Sequence, residues 1–149
     1  MGIGNISKFI ATLGPVGYLP ASGTAASAIV FFLLFFIQSF LTPISYSLLI
    51  LISCIVAWLA VSYYQKGDVS EIVIDEYLGA LVSMFLMPAN WYIFLVGFAL
   101  FRVLDIYKPF LIGYCEKIPG ATGILLDDIV AGLVTNLTLH IGIAFFFVQ

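Results

Sequence analysis

Long uncharged stretches alternate along this chain with short breaks where proline, glycine and charge collect. A helix that spans the bilayer core needs about 20 mostly apolar residues, and five stretches approach that length. The first covers about residues 24–40 and stops at Thr42-Pro43. The second, residues 44–64, carries no charge. The third, about residues 71–87, is shorter and opens with acids. The fourth covers residues 91–108 and ends at Pro109, which fits poorly inside a helix. The fifth, about residues 123–148, is long enough to span with some tilt. Residues 109–122, with Lys117, Pro119 and Gly120, suit a loop or interfacial turn. Residues 1–20 hold one charge, Lys8, and Gly14, Pro15, Gly17 and Pro20 interrupt any apolar core of a signal peptide. That segment reads as an irregular or interfacial arm retained on the protein. There is no internal repeat and no low-complexity stretch.

Composition turns these segments into a class. Hydrophobic residues make up 63% of the chain and charged residues 9%, with a mean hydropathy of +1.19. Soluble domains are about a quarter charged, so the surface here is too apolar for water. The expected fold is all-α: a polytopic membrane bundle of about five transmembrane or half-membrane helices, forming one domain over residues 1–149. A net charge of −3 argues against nucleic acid, which is held by clustered Lys and Arg. Cys54 and Cys115 are far apart and lack metal-ligand spacing, so they define neither a disulfide framework nor a redox compartment.

Threading the five helices sorts the charges. With Lys8 in the cytoplasm, residues 38–43 and 88–90 fall outside, and residues 65–70 and 102–122 fall inside. All five basic residues then share one face, cytoplasmic by the positive-inside rule, and all eight acids join them. The opposite face carries no charge.

Carboxylates in so apolar a chain need water, cations or a site that uses them. Asp127-Asp128 lies in Gly-Ile-Leu-Leu-Asp-Asp-Ile-Val-Ala-Gly near the start of the fifth helix. Adjacent carboxylates there offer hard oxygen ligands for Mg²⁺, or complement the helix dipole. Ala131 and Gly132 would let a second helix approach closely. Asp75-Glu76 opens the third helix with the same two readings, and Glu71 one turn earlier is available for capping. Arg102, Asp105 and Lys108, spaced i, i+3, i+6, share a helix face. They are either an ion pair with C-terminal cations, or a metal ligand flanked by two phosphate-binding cations. Ser22-Gly23-Thr24 before the first helix is an anion site or a plain N-cap.

Several chemistries lack their residues. His140, the single histidine, lies deep in the last helix and far in sequence from every carboxylate, which disfavours a phosphohistidine mechanism. No Arg follows Cys115 as a cysteine phosphatase loop requires, and no DxDxT is present. Metal-assisted chemistry at an oxygen-rich site remains.

The chain resembles the phosphatidylglycerophosphatase A family of small bacterial membrane enzymes over nearly its whole length. The resemblance rests on Pro-Ala-Ser-Gly-Thr-Ala-Ala-Ser at residues 20–27, Asp-Glu-Tyr-Leu-Gly at 75–79, Phe-Arg-Val-Leu-Asp-Ile-Tyr-Lys-Pro at 101–109 and the acidic motif at 123–132. It departs from the family at Ser22, where a proline is usual, at Leu111, where a second proline often follows, and at Gly120-Ala121, where glycines are paired. These departures touch loop shape and no charged residue. The resemblance implies Mg²⁺-dependent dephosphorylation of phosphatidylglycerol phosphate to phosphatidylglycerol, by a multi-pass protein of the bacterial inner membrane whose site faces the cytoplasm. On that reading Asp75, Glu76, Asp105, Asp127 and Asp128 hold Mg²⁺, and Asp128 or Asp105 positions or deprotonates the attacking water. Thr24, Arg102 and Lys108 grip the phosphate, and the substrate's acyl chains lie along the apolar helix faces. The alternative is a carboxylate-based cation or proton transporter, although the uncharged half offers no polar relay besides His140 and scattered Ser and Thr. A CDP-alcohol phosphotransferase would need a dense run of spaced aspartates that the chain lacks. Oligomeric state is left open by the sequence.

Overall fold

The computed structural model describes residues 3–64 and 69–147. It contains seven α-helices and, among the described residues, no strand. They are α1 (Ile3–Ala11), α2 (Ser22–Ile37), α3 (Pro43–Tyr63), α4 (Ile74–Ser83), α5 (Trp91–Tyr107), α6 (Leu111–Cys115) and α7 (Ala121–Phe147). Among the described residues, three stretches are long and apolar enough to cross a membrane: Ser22–Phe40, Pro43–Tyr63 and Ala121–Phe145. Their outward faces are apolar, with Phe32, Ile44, Leu51, Trp58, Leu137 and Phe145 all exposed, as a lipid-facing surface requires. Helix α5, at 17 residues, is about 26 Å long, close to the thickness of the hydrocarbon core.

Several helix ends follow from local sequence. Pro43 opens α3, and the Thr42 hydroxyl caps it by accepting the Ser45 N–H at 3.2 Å. Asn90 caps α5 through the Tyr92 N–H at 2.9 Å. At the other end of α5, Lys108 turns left-handed (φ 44°) and Pro109 follows, so the helix cannot continue.

Three sequence expectations need correction. The arm expected to be irregular or interfacial over residues 1–20 is only partly irregular: Ile3–Ala11 forms α1, and turns and a short 3-10 turn follow, where Gly14, Pro15, Gly17 and Pro20 collect. Helix α1 packs against α3. The third segment is shorter than residues 71–87, since Val69–Glu71 is a separate 3-10 turn and Leu86 adopts a left-handed φ of 59°. Residues 109–122 are not all loop, because α6 forms there and buries Ile112. Residues 65–68 of the expected polar connection, including Lys66 and Asp68, lie outside the described residues, as does Val148.

Helix α4 is the centre of the bundle, in contact with α2, α3, α5 and α7, and its residues 78–83 are buried. Its C-terminal end is buried in the protein, where carbonyls without partners are costly. Side chains from three other elements supply the missing donors. The Asn136 amide donates to Ser83 and Phe85 carbonyls at 3.0 and 2.8 Å, the Tyr46 hydroxyl donates to Leu81 O at 3.0 Å, and the Gln38 amide donates to Met87 O.

The crossing of α4 and α7 fixes the site. A Cβ on Gly132 would lie 2.5 Å from the Gly79 carbonyl oxygen, and one on Gly79 would lie 2.8 Å from the Asp128 carbonyl oxygen and strike the Phe101 ring. Only glycine at both positions permits this approach, with Ala131 fully buried beside it. Asp75 lies one turn before Gly79, and Asp128 one turn before Gly132. The backbone contact therefore brings the two acidic groups face to face.

Candidate active site

Three carboxylates converge at the charged end of the bundle. One oxygen each from Asp75, Glu76 and Asp128 lies within 4.8 Å of the others. Asp128 is 3% exposed, and its Oδ2 is buried with no hydrogen-bond partner. Glu76 Oε2 is likewise buried without a partner. Isolated anions at such depth are costly, and converging carboxylates with oxygens left without donors are the donor set a hard cation takes.

Glu76 spans two environments. A Cβ on Gly23 would collide with its Oε1 and lie 3.4 Å from Arg102 Nη1, so this glycine admits the carboxylate to the N-terminal end of α2. There the helix dipole favours the negative charge. The Arg102 guanidinium reaches the same place, 3.9 Å from Glu76 Oε1 and 2.5 Å from Asp105 Oδ2. Its Nη1 also donates to the Ser27 hydroxyl at 3.4 Å, while that hydroxyl donates to the Gly23 carbonyl at 2.7 Å. Arg102 Nε is buried and has no partner.

On the other side Lys108 joins α5 to α7. Its ammonium donates to Asp127 Oδ2 and lies 3.2 Å from Glu116 Oε1. Burial alone would lower the Lys108 pKa, but the two carboxylates outweigh it and hold the ammonium above its ordinary value. A cavity of about 430 Å³ opens at this corner, lined by Asp75, Lys108, Lys117, Pro119, Ile124 and Asp127 among others. In both acidic pairs the first aspartate accepts the next residue's backbone N–H, Asp75 from Glu76 at 3.1 Å and Asp127 from Asp128 at 3.0 Å.

The five expected metal ligands therefore divide. Asp75, Glu76 and Asp128 meet, whereas Asp105 and Asp127 stand beside them, bound to Arg102 and Lys108. Successive residues on a helix point about 100° apart, so Asp127 and Asp128 face different partners. Of the three expected phosphate-binding residues, Arg102 and Lys108 flank the carboxylates. Thr24 is exposed one residue beyond Gly23. The plain N-cap reading fails: α2 starts at Ser22 after a left-handed Ala21 without a side-chain cap, and the Ser22 hydroxyl donates to the Ser70 carbonyl at 3.1 Å. Glu71 does not cap α4 either, because its carboxylate accepts the Tyr64 hydroxyl at 2.6 Å and pairs with Lys8 at 3.5 Å. Burial, then that bond to Glu71, pushes the Tyr64 phenol up to about 12.

Sequence reasoning named Gly23 only within a candidate anion site, not as the residue that admits Glu76, and missed Ser27. Their i, i+4 spacing on α2 was the available signal, since it places both on one face. His140 is exposed on α7, its ring nitrogen 3.1 Å from the Asn136 carbonyl. Twelve residues from Asp128, it lies about 18 Å along the helix and takes no part.

The chain is similar to proteins of known family. The family model described as phosphatidylglycerophosphatase A matches residues 9–143. Phosphatidylglycerophosphatase A of Escherichia coli (strain K12) is 32% identical over 129 residues, covering 83% of this chain and 72% of its own. Phosphatidylglycerophosphatase A of Haemophilus influenzae is 41% identical over 68 residues, 44% of this chain and 42% of its own. A Bacteroides thetaiotaomicron protein provisionally named a phosphatidylinositol-3-phosphatase is 38% identical over 69 residues, 44% of this chain and 43% of its own. No solved structure matches the chain. With its acidic motifs gathered at one end of a membrane bundle, this chain belongs to the phosphatidylglycerophosphatase A family.

Proposed function

We propose that the protein hydrolyses the phosphate monoester of phosphatidylglycerol phosphate, releasing phosphatidylglycerol and phosphate, with Mg²⁺ at the cytoplasmic membrane face. Its family is one of phosphoric monoester hydrolases that act on a phospholipid. The observation that carries the reading is the pair of bare buried oxygens, Glu76 Oε2 and Asp128 Oδ2, beside a guanidinium with a free buried Nε. The first two fit a divalent cation and the third fits an anion, as a phosphomonoester site requires.

Charge balance supports the same reading. Asp75, Glu76, Asp105, Asp127 and Asp128 outnumber the cations paired with them, Arg102 and Lys108, and Lys108 is shared with Glu116 as well. Asp75, Glu76 and Asp128 are the residues that would hold Mg²⁺, which when bound would offset part of that excess and polarise the phosphoryl oxygens.

Protein groups do the rest. Arg102 binds the phosphoryl oxygens and steadies charge on them as the ester bond breaks. Asp105 and Ser27 hold its planar fork in place, a role that Lys would not fill. Asp128 takes a proton from the attacking water through the oxygen that does not hold the cation. Lys108, held by Asp127 and Glu116, lines the cavity through which the head group enters. Against transport, Gln38, Tyr46 and Asn136 in the uncharged half each donate to backbone carbonyls at the end of α4, which leaves them poor relay groups.

The test is phosphate release by purified protein in detergent, with Mg²⁺ and with a chelator. Phosphatidic acid, a phosphatidylinositol phosphate and lysolipid phosphates serve as competing substrates. Mg²⁺-dependent release, fastest from phosphatidylglycerol phosphate, is expected. Ion flux in liposomes without any release would overturn the proposal.

A further inference from the structure

Two apolar grooves run along the outside of α5, and one of them leads to the candidate site. The first lies between α2 and α5, has a volume of about 380 Å³, and is lined by Ala28, Phe32, Phe36, Trp91, Phe94 and Phe98 among others. The second lies between α5 and α7, holds about 460 Å³, and includes Ile93, Leu139, Gly142 and Ile143. Size alone would favour the second. Continuity favours the first.

Ala28, at the near end of the α2–α5 groove, follows Ser27, whose hydroxyl is 3.4 Å from the Arg102 guanidinium. Phe98 lies one turn before Arg102 on α5. A lipid phosphate held at Arg102 therefore starts its chains at the mouth of this groove. The other groove also approaches Arg102 along its α5 wall, through Val96 and Leu100. Its α7 wall, residues 138–143, begins ten residues past Asp128, about 15 Å further along that helix. Only the first groove therefore has both walls beside the residues that hold Arg102.

Depth gives a second agreement. From Arg102 to Trp91 is eleven residues, about 17 Å along α5. One leaflet of the hydrocarbon core is about 15 Å deep, so the groove matches the length over which one acyl chain extends. Its floor is preformed: Phe94 is 6% and Phe31 3% exposed, with Phe35–Phe94 and Phe31–Phe98 ring centroids 5.4 and 5.7 Å apart. Phe32, Phe36 and Trp91 are exposed around it, so a chain enters sideways from the bilayer.

We propose that the α2–α5 groove is the acyl-chain site of the lipid substrate, the phosphate lying at Arg102 and one fatty chain running along Phe98 and Phe94 toward Trp91. This deepens the lipid phosphatase reading and rests on it. Selectivity for long-chain over short-chain lipids then resides in α2 and α5, and α7 takes no part in it.

Two experiments decide it. In the first, a phosphatidylglycerol phosphate bearing a photoreactive group at one acyl terminus is bound to the wild-type protein with and without excess unlabelled lipid. Labelling that the unlabelled lipid removes is expected on residues 32–36 or 91–95. Removable labelling on residues 138–143 instead, or no removable labelling, would overturn the proposal. In the second, Ala28→Phe fills the near end of the groove from an exposed position, and Gly142→Phe fills the other groove, where a Cβ meets nothing within 4 Å. Ala28→Phe should raise KM for the long-chain lipid at least about tenfold, with dihexanoyl substrate turned over as before. Gly142→Phe should change neither. An equal loss on both substrates, or an effect from Gly142→Phe alone, would count against the groove. Wild-type protein that releases no phosphate from any lipid would instead sink the reading beneath it.

Discussion

Glu76 has one oxygen with company and one without. Oε1 lies beside Gly23 and Arg102, and Oε2 is buried with no partner. Asp128 presents the same contrast with Asp127, whose Oδ2 is bound by Lys108. Neighbouring acids should therefore differ sharply on mutation. Asp128→Asn or Glu76→Gln should lower phosphate release by more than about 100-fold and raise the Mg²⁺ concentration needed for half-activity. Asp127→Asn, which loses only a partner of Lys108, should cost about tenfold, the scale of a supporting contact. Equal losses in a Mg²⁺ titration of the three variants would refute the division. The residue types were legible in the sequence, as was their gathering at one end of the bundle. The division among them was not, because it depends on which cation each side chain meets across the bundle, and Arg102 and Lys108 lie on a different helix from Asp127 and Asp128.

At the level of elements, the glycine crossing and the caps around α4 were unequally readable. Ala131 and Gly132 announced a close approach of helices in the sequence, but Gly79, the partner of Gly132 at the crossing, was not read that way. Nothing in the sequence announced that Asn136, Tyr46 and Gln38 would meet the carbonyls at the end of α4, since those contacts span 35 to 53 residues. Nor did it reveal that Lys8, Tyr64 and Glu71 would tie α1 to the turn before Asp75. The Val73 N–H, which donates to the Ala11 carbonyl at 3.0 Å, completes that tie. Helix–helix contact at the crossing predicts a clear contrast. Gly132→Ala should cost about 1–3 kcal/mol through overpacking and reduce activity by separating the carboxylates. Gly142→Ala, where the added methyl meets nothing within 4 Å, should be neutral or stabilise by up to about 1 kcal/mol through helix propensity. Thermal unfolding in detergent measures both, and similar melting temperatures for the two would count against the crossing.

For the whole molecule, charge is the organising asymmetry. The described charged residues are linked at one end by Lys8–Glu71, Arg102–Asp105 and Lys108–Asp127 pairs, while residues 38–43 and 86–90 close the other end without a charge. Single cysteines at Asn90 and Pro119 in a Cys54→Ala, Cys115→Ala background should react with a membrane-impermeant thiol reagent from opposite sides. Pro119 should be reached only from the cytoplasm. Labelling of both from one side would refute the threading. The glycine crossing also governs how the enzyme tolerates its bilayer. The carboxylates of Asp75 and Asp128 sit four residues from the contact, about 6 Å along each helix, whereas Phe145 lies thirteen residues away, about 20 Å. If α4 and α7 rock about that contact by about 10°, the far end of α7 swings by more than 3 Å and the carboxylates move by about 1 Å. The site is close to the fulcrum. A thinner or thicker membrane, met by helix tilt, would thus displace the ends of the bundle and leave the ligand cage close to its resting dimensions.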